Sequence, residues 1–329
     1  MKKCKRILYV HHGEGIGGAP ISLLQMVYAL DRRKYEPTVL FLHNSDAVNL
    51  FKEQDITVLG PVNRYDFQHT KIWWYRWYHP HHLFRALWDS WSLLCGEAEV
   101  WIEKAQPDII HLNTSSLVVW GIIARRLGIP VVWHVREPLA PGYFGIRRWL
   151  VRYLVGKYAD SILPICKNDS QPWIHLKKTQ VLYNAVDLKR FDSKKFKRNA
   201  FMPTIFFLGG LSREKGTHII LKSFAKLLRR LPSAKLIIAG YWSECDKTGW
   251  RSILGKTPAE KFKNEVEQLL KPMKNSVELV GAIKNVPEFM AKSSCVVFPA
   301  TVGHFARPVI EAGCMGVPVV ASKLAPLDE

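Results

Sequence analysis

The sequence predicts an α/β protein with two Rossmann-like domains, each built on a doubly wound parallel sheet. Short, continuous apolar runs alternate with amphipathic stretches, the pattern of parallel strands that are buried on both faces and covered by helices. The pattern restarts after a polar, basic segment over residues 187–203. The length of 329 residues suits two domains of roughly 100–200 residues. We therefore predict domains over residues 1–195 and 196–329.

Seven apolar runs in the first domain are predicted to be strands: 6–10, 38–42, 57–59, 109–112, 131–135, 161–164 and 180–183. Helices are predicted over 20–30 and 115–127; Pro20 fits a first helical turn, where its missing N–H is not needed.

The second domain is predicted to have five strands separated by helices. The strands are 204–208, 235–239, 277–280, 295–299 and 317–321, and the helices are 215–231, 259–270, 286–291 and 307–315. Because the pattern stops at Glu329 without a closing helix, we expect this domain to be truncated.

The net charge is strongly positive, with 47 Lys and Arg against 28 Asp and Glu. Such a field attracts nucleic acid, anionic membranes or phosphorylated small molecules. The six cysteines form no CxxC pair and lie mostly in apolar runs, which favours reduced structural thiols. The N-terminus lacks the roughly 7–15 apolar residues of a secretory signal, and no run reaches the roughly 18 of a membrane span. We expect a cytoplasmic protein, free or attached to the inner face of the plasma membrane.

Two glycine-rich loops follow predicted strands and open helices. The first, from Gly13 to Gly18, fits GxGxxG, and its glycines would let backbone amides approach an anion. A dinucleotide site needs an acidic residue at the end of the second strand, and none occurs before Asp46, so NAD binding is disfavoured. A tight turn without a ligand remains an alternative.

The second loop, from Gly209 to Gly216, places Lys215 at a helix start, where a cation and helix amides can meet a diphosphate. A solvated helix N-terminus is the alternative.

With these loops, three further segments closely resemble the GT-B glycosyltransferases of family 4: 107–111 (PDIIH), 183–187 (YNAVD) and, most specifically, 298–322. The resemblance implies two Rossmann-like domains facing across a cleft, an acceptor-binding first and a nucleotide-sugar-binding second. It implies retaining, hexosyl-type transfer from an NDP-sugar to a glycan or lipid-linked acceptor, in surface polysaccharide synthesis. No metal or other cofactor is implied, and no DxD is found.

The resemblance also assigns residue roles. His134 and Glu311 are the implied catalytic residues, and Glu311 would also bind the ribose hydroxyls. Lys215 would neutralise the diphosphate as it leaves. The other implied donor-binding residues are Gly17, Gly18, Arg213, His304, Phe305 and Ala306. A structural histidine at 134 and an ordinary helix carboxylate at 311 remain alternatives.

Two positions depart from the family pattern. Gly210 stands where an Arg is common, and Arg213 is the residue that could compensate. Gly303 stands where a Glu usually contacts the sugar, and the residues after it, beginning with His304, replace a usual Gly-Phe-Gly. Either His304 takes the role, or the donor sugar is unusual, or activity is lost. A catalytically impaired nucleotide- or glycan-binding protein is therefore the alternative function.

An aromatic, basic stretch over residues 71–91 suits the interface of an anionic membrane. The alternative is a helix that packs its aromatic face on the first domain, because Leu83, Leu87 and Trp91 repeat every four residues. Aromatic and basic residues also suit single-stranded nucleic acid, but no nucleic-acid signature is found, so no such partner is expected. His79, His81 and His82 lack a carboxylate or Cys companion, which disfavours a metal site.

Overall fold

The computed structural model describes residues 4–13, 15–64, 80–196, 202–240 and 258–329. The chain forms two compact units, Met1–Ala185 with Glu329 and Val186–Asp328. The division follows Ala185, whereas the sequence placed a boundary after residue 195. Residues 187–196 of the basic segment lie with the second unit, because Phe191 is buried in the same core cluster as Phe206 and Met290.

The first unit contains a six-stranded sheet, and all of its strand pairs are parallel. Its order is β3-β2-β1-β4-β5-β6. The strands are β1 (Lys5–His11), β2 (Tyr35–Phe41), β3 (Thr57–Leu59), β4 (Ile109–Leu112), β5 (Val131–Val135) and β6 (Ser161–Pro164). The helices are α1 (Gly18–Tyr28), α2 (Ala47–Lys52), α3 (Pro80–Ser92), α4 (Ala98–Ala105), α5 (Val118–Arg126), α6 (Ile146–Tyr158) and α7 (Lys167–Ser170).

The predicted strand at 180–183 is wrong. The segment runs beside β6, where the Leu182 N–H donates to Pro164 O at 2.8 Å, but the pairing amounts to one isolated bridge, Ile162 to Thr179. Leu182 and Tyr183 are exposed, so this apolar run is not a strand buried on both faces.

Helices cover both faces of the first sheet. Alternate strand residues such as Leu8 and Val10 pack with α4, α5 and α6, whereas Ile7 and Tyr9 pack with α1 and α2. A π-helical turn, Leu93–Glu97, joins α3 to α4. Arg64 forms salt bridges with both α3 and the π-helical turn, because its guanidinium lies 3.2 Å from Asp89 and 2.8 Å from Glu97.

The second unit has a five-stranded parallel sheet in the order β11-β10-β7-β8-β9. Its strands are β7 (Thr204–Leu208), β8 (Lys235–Ala239), β9 (Val277–Gly281), β10 (Cys295–Phe298) and β11 (Val319–Ala321). Its helices are α8 (Thr217–Leu228), α9 (Pro258–Leu270), α10 (Val286–Ala291) and α11 (Arg307–Cys314).

The strand orders locate where ligands are expected. In open parallel sheets, ligands bind beyond the carboxyl ends of the strands, at the point where the strand order reverses. That point lies between β1 and β4 in the first unit and between β7 and β10 in the second. Within the described ranges, no helix combines the length and apolar character of a membrane span.

Candidate functional site

The turn after β7 is a tightly hydrogen-bonded loop in which Gly210 is left-handed, with φ +65°. The Thr217 hydroxyl donates to Gly210 O and also lies 3.0 Å from the Ser212 N–H, which donates to it. Gly216 caps α8 with φ +82°, and a Cβ there would lie 1.8 Å from Pro299 O. The loop therefore packs closely against the chain leaving β10, which brings the two strand ends together.

The ammonium group of Lys215 contacts His304 and lies over the ring of Phe298. Its Nζ lies 3.2 Å from His304 Nε2 and 5.5 Å from the centre of the Phe298 ring. Burial lowers the pKa of Lys215, and the nearby charge of Glu214 partly opposes that effect. The ammonium is thus held in a largely desolvated place at the start of α8, where a phosphate would restore the interactions it lost with water.

His304 contacts Lys215 with one ring nitrogen and the backbone with the other. His304 Nδ1 lies 2.8 Å from Val302 O, and the ring meets Phe298 edge-on at 5.5 Å. Burial, and secondarily the charge of Lys215, lowers the pKa of His304 to about 4. The imidazole is therefore neutral near pH 7.

Glu311 lies on α11 and is paired with Arg307 one turn earlier. Arg307 Nη2 and Nε lie 3.0 and 3.2 Å from the same oxygen, Glu311 Oε1. Both residues are buried, at 8% and 7% exposure. Because both contacts from Arg307 are made to Oε1, they fix the orientation of the Glu311 carboxylate. Before α11, Ala306 is buried in the core and Phe305 is half-buried.

The first unit gathers polar side chains beyond β1, β4 and β5. Arg136 Nε donates to Asn113 Oδ1 at 2.6 Å, so the Asn113 amide group must donate to His11 Nδ1, 3.0 Å away. Arg136 also reaches His134 Nδ1 at 3.5 Å, and His111 Nε2 lies 3.3 Å from the same atom. Because arginine only donates, His134 Nδ1 is an acceptor.

These contacts leave His11 and His134 with the proton on Nε2. Both Nε2 atoms are buried and have no hydrogen-bond partner among the described residues. Burial lowers the pKa of His11 and His134 well below the usual value, and burial lowers the pKa of His111 to about 3. The cluster therefore offers neutral N–H donors, suited to the oxygen atoms of a ligand.

Gly17 and Gly18 begin α1 after the first loop, with Gly17 as the N-cap residue in an extended conformation. A Cβ at Gly15 or Gly17 would meet nothing within 4 Å. Packing against the described residues therefore does not require a glycine at position 15 or 17.

The comparisons with known proteins match each unit separately. Residues 17–167 match the family described as glycosyl transferase 4-like domain, and residues 189–329 match glycosyl transferases group 1. An uncharacterized glycosyltransferase of Methanocaldococcus jannaschii, MJ1059, is 27% identical over 182 residues, which are 50% of this chain and 40% of that relative.

Solved structures share the fold over almost the whole chain. HepE of Anabaena in complex with UDP-glucose has a TM-score of 0.70 at 20% identity, covering 97% of this chain and 81% of its own. A glycosyltransferase of Rickettsia africae has a TM-score of 0.69 at 15% identity, covering 98% and 80%. Each unit therefore matches a glycosyltransferase family model, and the fold is that of the GT-B glycosyltransferases.

The structure brings some of the predicted residues together and keeps one apart. Lys215 and His304 are in contact, and Glu311 lies one turn into α11, the helix that follows the neighbouring strand β10. Arg213 instead turns to α9, where its guanidinium pairs with Glu265 at 2.6 Å and covers the ring of Phe262. In this arrangement Arg213 does not occupy the place of the Arg missing at position 210.

The departure at Gly303 has a steric cause. A Cβ at this position would lie 2.1 Å from the carbonyl oxygen of Ala325, which is far inside van der Waals contact. A glutamate would therefore require Ala325 to move, so the carboxylate that the family resemblance leads us to expect has no room here.

His11, His111, Asn113 and Arg136 were not predicted as site residues. Each lies at the carboxyl end of a strand, which is the one signal that could have identified them. Their convergence depends on strand register, with Val10 level with Leu112 and Leu112 level with Trp133.

Proposed function

We propose that the protein transfers a hexose from an NDP-sugar to a glycan or lipid-linked acceptor, with retention of anomeric configuration and without a metal. The observation that carries this proposal is the placement of Lys215 and Glu311 beyond the adjacent strands β7 and β10. Each is held by a specific partner, His304 or Arg307. A role in surface polysaccharide synthesis is part of the same proposal.

Lys215 and Glu311 suit the two ends of a ribose-diphosphate. Lys215 and the first amides of α8 can stabilise the charge that develops on the leaving diphosphate, and a preorganised cation in a desolvated site is worth more than one in water. The Glu311 carboxylate can accept hydrogen bonds from both ribose hydroxyls. Gly17 and Gly18 of the first unit would let backbone amides approach phosphates or acceptor in the same reaction.

A thermal-shift panel of UDP-, GDP-, dTDP- and ADP-sugars tests donor binding and names the base. UDP comes first because HepE, the structural neighbour, was solved with UDP-glucose. We expect one base to raise the melting temperature, Lys215→Ala to reduce this rise and Glu311→Ala to abolish it. Lys226→Ala, at the exposed far end of α8, and Glu278→Gln, on exposed β9, are the matched controls. Donor shifts that survive both site variants would refute the assignment.

His134 is proposed to act near the transferred sugar through its Nε2–H. We expect His134→Ala to lower turnover while leaving the nucleotide shift intact, because the residue belongs to the other unit. The anomeric configuration of the product, read from proton NMR coupling constants, tests retention. Turnover measured with excess EDTA tests metal independence; among the described residues, no group of three His, Cys, Asp or Glu is arranged to hold a metal.

A nucleotide- or glycan-binding protein without turnover is the second candidate, and the blocked space at Gly303 favours it. Binding with no measurable transfer or donor hydrolysis, across the panel and a set of glycan acceptors, would select it. Measurable transfer with any acceptor would exclude it.

We also propose that the first unit docks on an anionic membrane through α3. Ala86 and Asp89 are buried on this helix, whereas Phe84, Leu87, Trp88 and Trp91 are more than half exposed. The alternative, in which Leu83, Leu87 and Trp91 pack on the first domain, is therefore wrong for Leu87 and Trp91, which are exposed, while Leu83 is half-buried. The first part of the aromatic, basic stretch, which contains Trp73, Trp74 and Trp77, lies outside the described residues.

Co-sedimentation with vesicles containing phosphatidylglycerol tests docking. We expect Trp88→Ser with Trp91→Ser to reduce binding, because both indoles would insert at the headgroup level. Tyr28→Ser is the control, since Tyr28 is 65% exposed on α1, across the sheet from α4, α5 and α6. Equal binding by the double variant and wild type would remove the docking role of α3.

A further inference from the structure

The contacts of His304 determine which of its nitrogens carries the proton. Val302 O can only accept a hydrogen bond, so Nδ1, 2.8 Å away, must carry the hydrogen. A neutral imidazole then presents a lone pair at Nε2, and Lys215 Nζ, which can only donate, lies 3.2 Å from that atom. The pair is therefore a hydrogen bond from a charged lysine to a neutral acceptor.

The neutrality of this acceptor distinguishes it from a carboxylate. An ion pair would hold the lysine equally well, but it would cancel the field that a diphosphate experiences. The other close partner, the Phe298 ring, is also uncharged. On the other side of the loop, Gly303 has no room for a carboxylate because Ala325 O is too close. Among the residues that the structure describes, Glu214 is the acidic group whose charge raises the pKa of Lys215.

We propose that His304 is a positioning residue that fixes Lys215 Nζ for the donor diphosphate while leaving the ammonium charge uncompensated. One N–H of the ammonium is used by His304, and two remain for phosphate oxygens. The diphosphate part of this inference rests on the proposed function, whereas the hydrogen bond and its direction do not. His304 thus does not replace the sugar-contacting glutamate of relatives; it acts on the lysine.

The hydrogen bond can be tested without any nucleotide. Nitrogen-15 NMR of the histidine side chains should show His304 as the Nδ1–H tautomer at pH 7. Carbon-13 NMR of labelled lysines should show the Lys215 pKa falling further in His304→Leu, which keeps the bulk but removes the acceptor, and less in His304→Gln, which can accept. An Nε2–H tautomer, or an unchanged Lys215 titration in His304→Leu, would overturn the inference.

The effect on the diphosphate is tested by a double-mutant cycle with UDP, measured by calorimetry. Loss of a charged hydrogen bond predicts roughly tenfold weaker UDP binding for His304→Leu, with partial recovery in His304→Gln. In a Lys215→Ala background the same change should have no further effect, because His304 acts through the lysine. Equal losses in both backgrounds would contradict positioning.

The two proposals fail differently. If wild type binds none of UDP, GDP, dTDP and ADP, the donor assignment fails, and the spectra still decide whether His304 holds Lys215. If UDP binds and the spectra contradict the hydrogen bond, the donor site stands and the role of His304 is wrong. Melting temperatures of all variants confirm that the comparison is between folded proteins, and His304→Gln provides the second variant if His304→Leu does not fold.

Discussion

Acidification should destabilise the protein below pH 6.5 through its buried histidines. An unfolded histidine titrates near 6.5, whereas the pKa of His304 in the folded protein is about 4 and that of His111 about 3. Between pH 6.5 and these values, the unfolded state binds more protons, so stability falls as pH falls. Each such histidine contributes about 1.4 kcal/mol per pH unit, and His304 alone reaches on the order of 3 kcal/mol at pH 4.

One group opposes this trend. Burial raises the pKa of Asp169 to about 6, so the folded state takes up a proton there before the unfolded state does. Between pH 6 and about 4, this uptake offsets roughly one histidine of the first unit. Because His11, His111 and His134 all lie in that unit with lowered pKa values, the net effect of acid remains destabilising.

The assay is urea unfolding at pH 7, 6 and 5, followed by tryptophan fluorescence, for wild type, His111→Gln and His175→Gln. We expect His111→Gln to reduce the pH dependence of the free energy of unfolding of the first unit by about 1.4 kcal/mol per pH unit. His175 is exposed and serves as the control, so its replacement should leave the slope unchanged. Identical slopes in all three proteins, or stability that rises with acid, would refute the reasoning.

Two further predictions concern the second unit. Gly303→Ala should destabilise the second unit by about 1–3 kcal/mol, because the new methyl group overlaps Ala325 O. Gly313→Ala should instead stabilise the unit by up to about 1 kcal/mol, because position 313 is on a helix and a methyl group there meets nothing. Thermal unfolding compares the two variants. Arg307→Leu should cost about 3–5 kcal/mol by leaving the Glu311 carboxylate buried without its cation, and Glu311→Gln added to it should recover part of that loss. If the double variant is destabilised as much as Arg307→Leu alone, the lost packing of Arg307, and not the unpaired charge of Glu311, is responsible.

Strands could be predicted from the sequence where the sheet is covered by helices on both faces. The strands β3 to β8 match their predicted residues because each is a continuous apolar run between helices. Where an apolar run lies at an exposed edge, as at Leu182, the same pattern is misleading. Helix ends differ by a few residues, for example α8, which begins at Thr217 because Lys215 and the left-handed Gly216 belong to the preceding turn.

The candidate site was less accessible to sequence reasoning, since its decisive contacts join distant residues. Lys215 and Glu311 follow from local motifs. The partnership of Lys215 with His304 spans 89 positions, and the obstacle at Gly303 comes from Ala325. The His11 cluster requires the register of three strands, which no single motif encodes.

The side chains at the two points of strand-order reversal differ in charge, and they therefore suit different chemical groups of a ligand. In the second unit, a cation at a helix start and a fixed carboxylate match the unlike ends of a ribose-diphosphate. In the first unit, deep burial lowers the pKa of His11 and His134 well below the usual value, so near pH 7 they donate N–H groups without adding charge. Neutral donors discriminate weakly between charged and uncharged oxygens, and a sugar has only the latter. We therefore propose that the first unit binds sugar hydroxyls rather than a second diphosphate, and that Arg136, which contacts Asn113 and Asn184, would recognise an anionic substituent.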